Sequence, residues 1–329
     1  MLNKKLLKVM GYSNITFSII IQLLSFYRFF SQKKYLSDKK DLENRFKSSQ
    51  GYKLNLDNPQ TINEKMQWLK LYDRTDFHTL CADKYAVRSF FKEQFGEDHL
   101  IELVFQTTNW QDIKPENMPD FPFIIKPNHG SGWYKIIHNK NEVDWKEMQT
   151  ISRYWLSQNY FDYQREWQYK NIKPRIIVEK LLISKNGQIP TNFRVHCIHG
   201  RVELIALTIY LGKDTENYRN LKFDRDWNYL NFDWAEKGAD LMKLRHNEEF
   251  PKPECFDQII YIAEKVSKYF KYVRVDFYEV DGKLFHGEIT FHDGGGFERI
   301  TPFEWDKKLG NLIGLNKEPI DYYKEGVVN

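Results

Sequence analysis

Cysteine is scarce in this chain: Cys81, Cys197 and Cys255 are the only three among 329 residues. Their odd number and wide spacing exclude a disulfide framework and a cysteine-rich zinc site, and suit a reducing cytosol. All three read as small hydrophobes. Long apolar runs are also lacking. The longest, Ile15 to Phe30, is interrupted by Ser18, Gln22, Ser25 and Arg28, short of the roughly 20 mostly apolar residues of a membrane-spanning helix. No small-residue cleavage site follows it, which speaks against a signal peptide. There is no internal repeat, no low-complexity linker and no H-E-x-x-H spacing.

What is present is enough to bury a core: 41% of residues are apolar and 16% aromatic, so the chain is globular or a small set of packed subdomains. The net charge of +4 is unevenly placed. Residues 1 to 40 carry eight Lys/Arg (Lys4, Lys5, Lys8, Arg28, Lys33, Lys34, Lys39, Lys40) against Asp38, which is +7 there and −3 over the remainder. Two readings stand for this segment. It is an interfacial helix whose basic flanks meet an anionic cytoplasmic leaflet, or a helix packed on the protein body with solvated lysines. A basic excess confined to one end excludes a nucleic-acid partner.

Thr61 and Glu64 have capping-box spacing ahead of Met66, Trp68, Leu69 and Leu71, which predicts a helix to about Tyr72. A second helix is expected from about Ala82-Asp83-Lys84 through Val87, Phe90 and Phe91 to Gly96. From Leu100 short strands follow: 101–105, 121–126, 134–138, 176–183 and 192–196, with a helix at 145–160. A strand at 202–210, a loop-rich stretch over 212–253 and a helix at 255–269 complete an α+β arrangement.

The densest chemistry lies in Arg274-Val275-Asp276-Phe277 and Gly287-Glu288-Ile289-Thr290, a predicted β-hairpin. Alternation places Arg274, Asp276 and Tyr278 on one face and Val273, Val275 and Phe277 on the other; on the return, His286, Glu288 and Thr290 oppose Phe285, Ile289 and Phe291. A two-residue Asp281-Gly282 turn would pair Asp276 with Gly287 and mix the faces. An odd-length loop, or a bulge near Asp281 to Leu284, instead pairs Asp276 with Glu288, Arg274 with Thr290 and Val275 with Ile289. Two opposed carboxylates of this kind suit magnesium, a hard cation that relieves their repulsion.

Two further segments bear on phosphate and base. Phe123 to Lys126 is a buried strand leading into Pro127-Asn128-His129-Gly130-Ser131-Gly132, a loop whose amides can surround phosphate oxygens beside a lysine. Arg175 to Leu182 is another buried strand carrying Glu179 and Lys180. In order, Ala82-Asp83-Lys84, Ile125-Lys126-Pro127 with its glycine loop, Val178-Glu179-Lys180-Leu181, Arg274-Val275-Asp276 and Glu288-Ile289-Thr290 resemble an ATP-grasp enzyme. The segment Asn58-Pro59-Gln60-Thr61-Ile62-Asn63-Glu64-Lys65-Met66-Gln67-Trp68-Leu69-Lys70 narrows this to the TupA-like ATP-grasp family, associated with bacterial surface polysaccharides such as teichuronopeptide. The resemblance covers about residues 50 to 300.

The resemblance implies an ATP-grasp fold of two α+β subdomains enclosing a nucleotide, 99–182 with the glycine loop and 183–329 with the metal site, preceded by a mainly helical region 1–98. It implies ATP and Mg2+ as cofactors. Lys84 and Lys126 would contact phosphates, with Lys126 and Arg274 as catalytic groups. The loop with His129, Gly130, Ser131 and Gly132 would close over the nucleotide. Glu179, Lys180 and Leu182 would read adenine and ribose, and Arg194 would replace a phosphate-contacting lysine. Asp276, Glu288 and Thr290 would hold the metal, Thr290 standing where the wider superfamily has asparagine. The partners implied are an amine or amino acid and a carboxylate-bearing saccharide.

Competing patterns are weaker. His196, His199, His286 and His292 lack zinc-ligand spacing. Asp224-Arg225-Asp226 is a D-x-D triplet and makes a metal-dependent glycosyltransferase the alternative enzyme. A non-catalytic, membrane-peripheral assembly protein is the alternative outside catalysis. Replacing the lysines of residues 1 to 40 by alanine is expected to weaken cosedimentation with anionic liposomes; equal binding rejects the electrostatic anchor.

Overall fold

A computed structural model of the protein describes residue 20 and residues 37–210, 218–234 and 251–325. The basic segment 1–40, and the membrane reading with it, falls almost wholly outside the described residues, as do parts of the stretch expected to be loop-rich. No described helix is long and apolar enough to cross a membrane.

Among the described residues from 37 onward, four helices come first: α1 (Asp38–Gln50), α2 (Ile62–Tyr72), α3 (Asp76–Ala82) and α4 (Val87–Phe95). The expected capping box closes α2, since the Thr61 hydroxyl accepts from Glu64 N and the Glu64 carboxylate accepts from Thr61 N. Such a cap contributes about 1 kcal/mol. The helix expected from about Ala82 to Gly96 begins only at Val87, because Ala82 ends a first helix, α3, and a turn separates it from α4. Asp83 ends the first, because its carboxylate accepts from Tyr85 N and Ala86 N, at 2.8 and 3.2 Å, and so competes with helical pairing. That break presents Lys84 from a turn rather than from a helix face.

A four-stranded antiparallel sheet follows, in the order β1-β4-β2-β3, from β1 (Leu103–Thr107), β2 (Phe123–Pro127), β3 (Lys135–Ile137) and β4 (Ile176–Lys180). Between β3 and β4 run α5 (Trp145–Leu156), which ends four residues short of the helix expected over 145–160, and the short α6 (Phe161–Gln164) beyond it. Ile125, Ile137, Ile176 and Val178 pack with Met148, Ile151 and Trp155 of α5 in a core of their own.

The second sheet has the order β10-β9-β5-β6-β7, from β5 (Thr191–Ile198), β6 (Arg201–Tyr210), β7 (Tyr218–Phe223), β9 (Tyr272–Val280) and β10 (Lys283–Thr290). Strand β7 lies in the stretch expected to be loop-rich, and β8 (Asp233–Trp234) pairs with β11 (Ile300–Thr301). Helix α7 (Phe256–Ser267) covers one face, with Ile259, Ile262, Ala263 and Val266 against Val195, Val202, Val273 and Val275. Helix α8 (Phe303–Leu312) packs on α2. At about 25 cal/mol per Å2 this buried apolar surface is the main stabilising term. The opposite face of β9 carries the charges.

Among the described residues five histidines are buried, His78, His129, His196, His286 and His292, and burial holds the last four below the ordinary imidazole value. Burial pushes His129 down to about 4 and His196 and His286 down to about 3. Folded values below the ordinary 6.5 mean that the unfolded chain takes up these protons first. Their stability contribution is therefore complete above about pH 6.5 and falls as the pH drops toward 3, by up to about 1.4 kcal/mol per pH unit for each histidine. His286 lies stacked on Phe91, ring centroids 3.7 Å apart, with neither ring nitrogen hydrogen-bonded. His286→Phe is expected to shrink the drop in melting temperature between pH 7 and pH 5, read by calorimetry.

Candidate functional site

The β9–β10 hairpin turns through Asp281-Gly282, and Val280 opposes Lys283, so the loop has two residues rather than the odd number expected. Both turn residues have positive φ, 50° and 79°, as a turn matched to strand twist requires. The extra residue that parity demands enters further along: Gly287 and Glu288 together face Asp276, between the pairs His286–Phe277 and Ile289–Val275. The bulge therefore lies next to the acids and not at Asp281 to Leu284. Beyond it Val275 meets Ile289 and Arg274 meets Thr290, as expected. Before it the phase is reversed, which corrects His286: with Leu284 it faces the core, not the polar side of Glu288.

Glycine is what allows this bulge. A Cβ on Gly287 would lie 2.9 Å from the Tyr278 ring and 3.2 Å from the Asp276 carbonyl oxygen. With none there, the backbones approach and Glu288 is aimed at the charges of β9.

Arg274 is the centre of those charges. Its Nε and Nη2 donate to the two Asp276 carboxylate oxygens at 2.7 and 2.6 Å, Nη2 donates to Glu288 Oε1 at 3.1 Å, and Nη1 pairs with Asp293. Lys84 Nζ sits 3.0 Å from Glu288 Oε2 and donates to Gly130 O at 2.9 Å, joining the glycine loop to the hairpin. Its turn is fixed from β2: Lys84 N donates to Asn128 O, and Asn128 Nδ2 donates to Asp83 Oδ1. Lys126 at the end of β2 reaches Glu179 of β4 at 2.6 Å, and Arg88 holds the other Glu179 oxygen at 3.1 Å.

The carboxyl groups differ in acidity for physical reasons. Burial raises Asp276 despite Arg274. Burial alone would also raise Glu288, but Lys84, Arg274 and Lys126 together outweigh it and hold it well below the usual carboxylate range. Asp293 is held at about 2: burial opposes ionisation, and the Arg274 and Arg194 guanidinium groups overcome it. Glu288 and Asp293 are thus firmly ionised.

The remaining predicted residues are placed as follows. Thr290 Oγ1 lies 3.4 Å from Glu288 Oε1. Arg194 opposes Asp276 across β5–β9, and its Nη2 donates to Asn220 at 3.2 Å. The Ser131 hydroxyl reaches Tyr160, and Gly132 is left-handed at φ 71°. The His129 ring is buried, its nitrogens contacting Asn128 Oδ1 and Trp155 O, which leaves the backbone of this residue to the loop. Lys180 points outward to Glu102 at 3.5 Å, and the N–H groups of Lys180 and Leu181 donate to Glu102 O and Pro122 O. This leaves less backbone for a base over 180–182 than expected, with half-buried Leu182 following it.

Three contributors escape the sequence reading: Arg88, His196 and above all Asp293. Asp293 begins a loop in which Gly294, Gly295 and Gly296 are all left-handed. That glycine run was the readable signal. The D-x-D triplet is used locally: Asp224 Oδ1 accepts from Asp226 N and Asn228 N, and Arg225 pairs with Glu264 at 2.8 Å. Among the described residues no group of three or more His, Cys, Asp or Glu is arranged as a metal cluster. The donors at the bulge nevertheless fit magnesium in kind. Two carboxylates and a hydroxyl are hard oxygen ligands, and each carboxylate oxygen has lone pairs beyond the bond it accepts.

Two antiparallel sheets with their own helices, joined where Lys84 of the helical region bonds both Glu288 on the second and the Gly130 carbonyl after β2 of the first, have the architecture of an ATP-grasp fold. The chain belongs to the TupA-like ATP-grasp family, whose model matches residues 64–314. No curated protein matches the sequence. Among solved structures it is similar to a D-alanine–D-alanine ligase from Bacillus anthracis complexed with ATP, at 16% identity over 64% of this chain and 55% of that one, TM-score 0.37. A D-alanine–D-alanine ligase from Helicobacter pylori matches at 16% identity over 76% and 68%, TM-score 0.38. The ATP-grasp ligase PsnB, complexed with a phosphomimetic variant of its minimal precursor, Mg and ADP, matches at 11% over 70% and 58%, TM-score 0.37. The chain thus spans 55% of the length of the Bacillus anthracis ligase.

Gly287→Ala is expected to cost about 1–3 kcal/mol, the usual range for forcing atoms into a packed site, because the added Cβ would press on the Tyr278 ring and the Asp276 carbonyl. Chemical denaturation would measure it, and an unchanged midpoint would show that the bulge needs no glycine.

Proposed function

We propose that the protein is an ADP-forming carboxylate–amine ligase that joins an amine or amino acid to a uronic-acid-containing bacterial surface polysaccharide or its precursor. The observation that supports this best is the convergence of Lys84, Glu288 and Arg274 at the bulge, with Lys84 also bound to the glycine loop. Residues 99–182 serve as the nucleotide-covering subdomain and 183–329 as the metal-bearing one, behind the helical region 1–98. The protein acts in the cytoplasm, with residues 1–40 touching the inner membrane face.

In this reading a substrate carboxylate attacks the γ-phosphate of ATP, forming an acyl phosphate and releasing ADP. The amine then displaces phosphate to give the amide. Phosphoryl transfer asks the protein for positioning and charge neutralisation. Lys84 and Lys126 supply positive charge to the phosphates, and Arg274 faces the charge on the transferring group. Asp276 and Glu288, with Thr290 beside them, would hold magnesium, which neutralises phosphate charge when bound. Glu179 keeps Lys126 extended along the sheet, and the residues following it border the base. The loop Asn128 to Gly132 shields the acyl phosphate from water. Trp133 gives that loop its shape, because a Cβ on Gly130 would lie 2.7 Å from its ring.

Product identity tests the reading. With magnesium, ATP, an amino acid and a uronic-acid saccharide, ADP is the expected product; UDP released from a sugar nucleotide would establish the glycosyltransferase instead, and no turnover across a broad acceptor panel the assembly protein. Glu288→Gln is expected to lower kcat/KM for ATP about 100-fold, equivalent to about 2.7 kcal/mol of transition-state stabilisation. Unchanged turnover in a folded variant would remove Glu288 from the site.

A further inference from the structure

Helix α2 buries three polar side chains, Asn63, Gln67 and Lys70, each 0% exposed and spaced at i, i+4 and i+7 on one face. A buried lysine is costly to desolvate, and an apolar side chain there would pack at lower cost. What the three donors contact is unusually restricted. Gln67 Nε2 donates to Gly295 O at 3.0 Å and Gly296 O at 2.8 Å. Lys70 Nζ donates to Gly295 O at 2.6 Å and to Gln164 O at 3.0 Å, and lies over the Phe297 ring. Asn63 Nδ2 donates to Glu298 O at 2.9 Å and to Asp306 at 3.0 Å.

With a longer bond from Gln67 Nε2 to Asn63 O at 3.4 Å inside the helix, four of the seven bonds end on backbone carbonyls of one short loop, 295–298. The loop lies directly on the helix: a Cβ on Gly296 would fall 2.4 Å from Gln67 Nε2 and 2.7 Å from Met66 Cβ. Its other end is fixed by the segment after α6, where Gln168 Nε2 contacts His292 Nδ1 at 3.3 Å and Glu166 lies 3.6 Å from the same nitrogen. Between the two anchors stands Asp293, the residue that pairs with Arg274 Nη1. Only one residue separates Asp293 from Gly295, so the bonds to the Gly295 carbonyl act next to the residue that holds Arg274.

We infer that Asn63, Gln67 and Lys70 are positioning residues for the reaction centre: they hold the 295–298 loop so that Asp293 orients the Arg274 guanidinium. The kinetic part of this inference rests on the proposed ligase reading, and the geometric part does not. A misplacement of about 1 Å at a transition-state contact costs on the order of 100-fold in rate, so a helix outside both sheets governs turnover without touching substrate.

The test uses the full chain carrying Gln67→Met, which keeps volume and removes both amide donors. The Arg274 Nε–H resonance, assigned by its disappearance in Arg274→Lys, is expected to shift in the Gln67→Met protein and to shift similarly in Asp293→Asn. In ADP release, kcat is expected to fall about 10-fold or more with KM for ATP within about 2-fold, and the Gln67→Met and Asp293→Asn effects are expected to be non-additive. A lower melting temperature with an unmoved resonance would overturn the inference and leave Gln67 structural. Should Gln67→Met fail to fold, Gln67→Asn withdraws the amide by one methylene while keeping it polar, and is judged by the same resonance. If the unaltered protein releases no ADP with any acceptor, the ligase reading fails, while the resonance still decides the positioning role.

Discussion

The structure depends on one buried cation. Arg274 stands on β9 beside β5, and Asp276, Glu288 and Asp293 close around its guanidinium. A guanidinium so placed is stable only with its partners present, since removing one partner of a buried ion pair costs about 3–5 kcal/mol. Each partner therefore constrains a different part of the chain. Asp276 fixes the strand itself, Glu288 fixes the bulge on β10, and Asp293 fixes the glycine loop that follows. Lys84 then pairs with Glu288, bringing in the helical region and, through Gly130, the first sheet.

The second constraint is steric. Strand alternation allows Glu288 to join Asp276 only if one extra residue enters between turn and acid. Val280 and Lys283 close a tight turn, so the residue has to enter elsewhere, and it enters where a glycine lets two backbones meet. The same insertion sends His286 into the core against Phe91. A single bulge thus separates an apolar half-strand, which holds the sheet, from a charged half-strand, which faces the other sheet.

Legibility followed the range of the interaction. The capping box of Thr61 and Glu64 lies within one helical turn and could be read from spacing. The pairing of Arg274 with Thr290 followed from parity alone, although the position of the compensating residue did not, because a loop residue and a bulge residue satisfy parity equally. Asp83 interrupts the helix that the residue pattern predicts, because side-chain competition with the backbone has no periodic signature. Asp293 was missed because it joins Arg274 from 19 residues away through a left-handed glycine turn. The buried stripe of α2 has no signature in the sequence, since Asn, Gln and Lys are usually exposed.

Sequence alone determined the family, the α+β class and the residue types of the site, because these rest on local order, alternation and motif sequence. Tertiary structure alone decided which donors meet. It turned the His129 ring inward, faced Lys126 to Glu179, placed the bulge at Gly287 and set three polar side chains of α2 against the loop behind Arg274. The reason is that burial assigns each polar group a partner, and a partner distant in sequence is selected by the packed backbone rather than by the neighbouring residues.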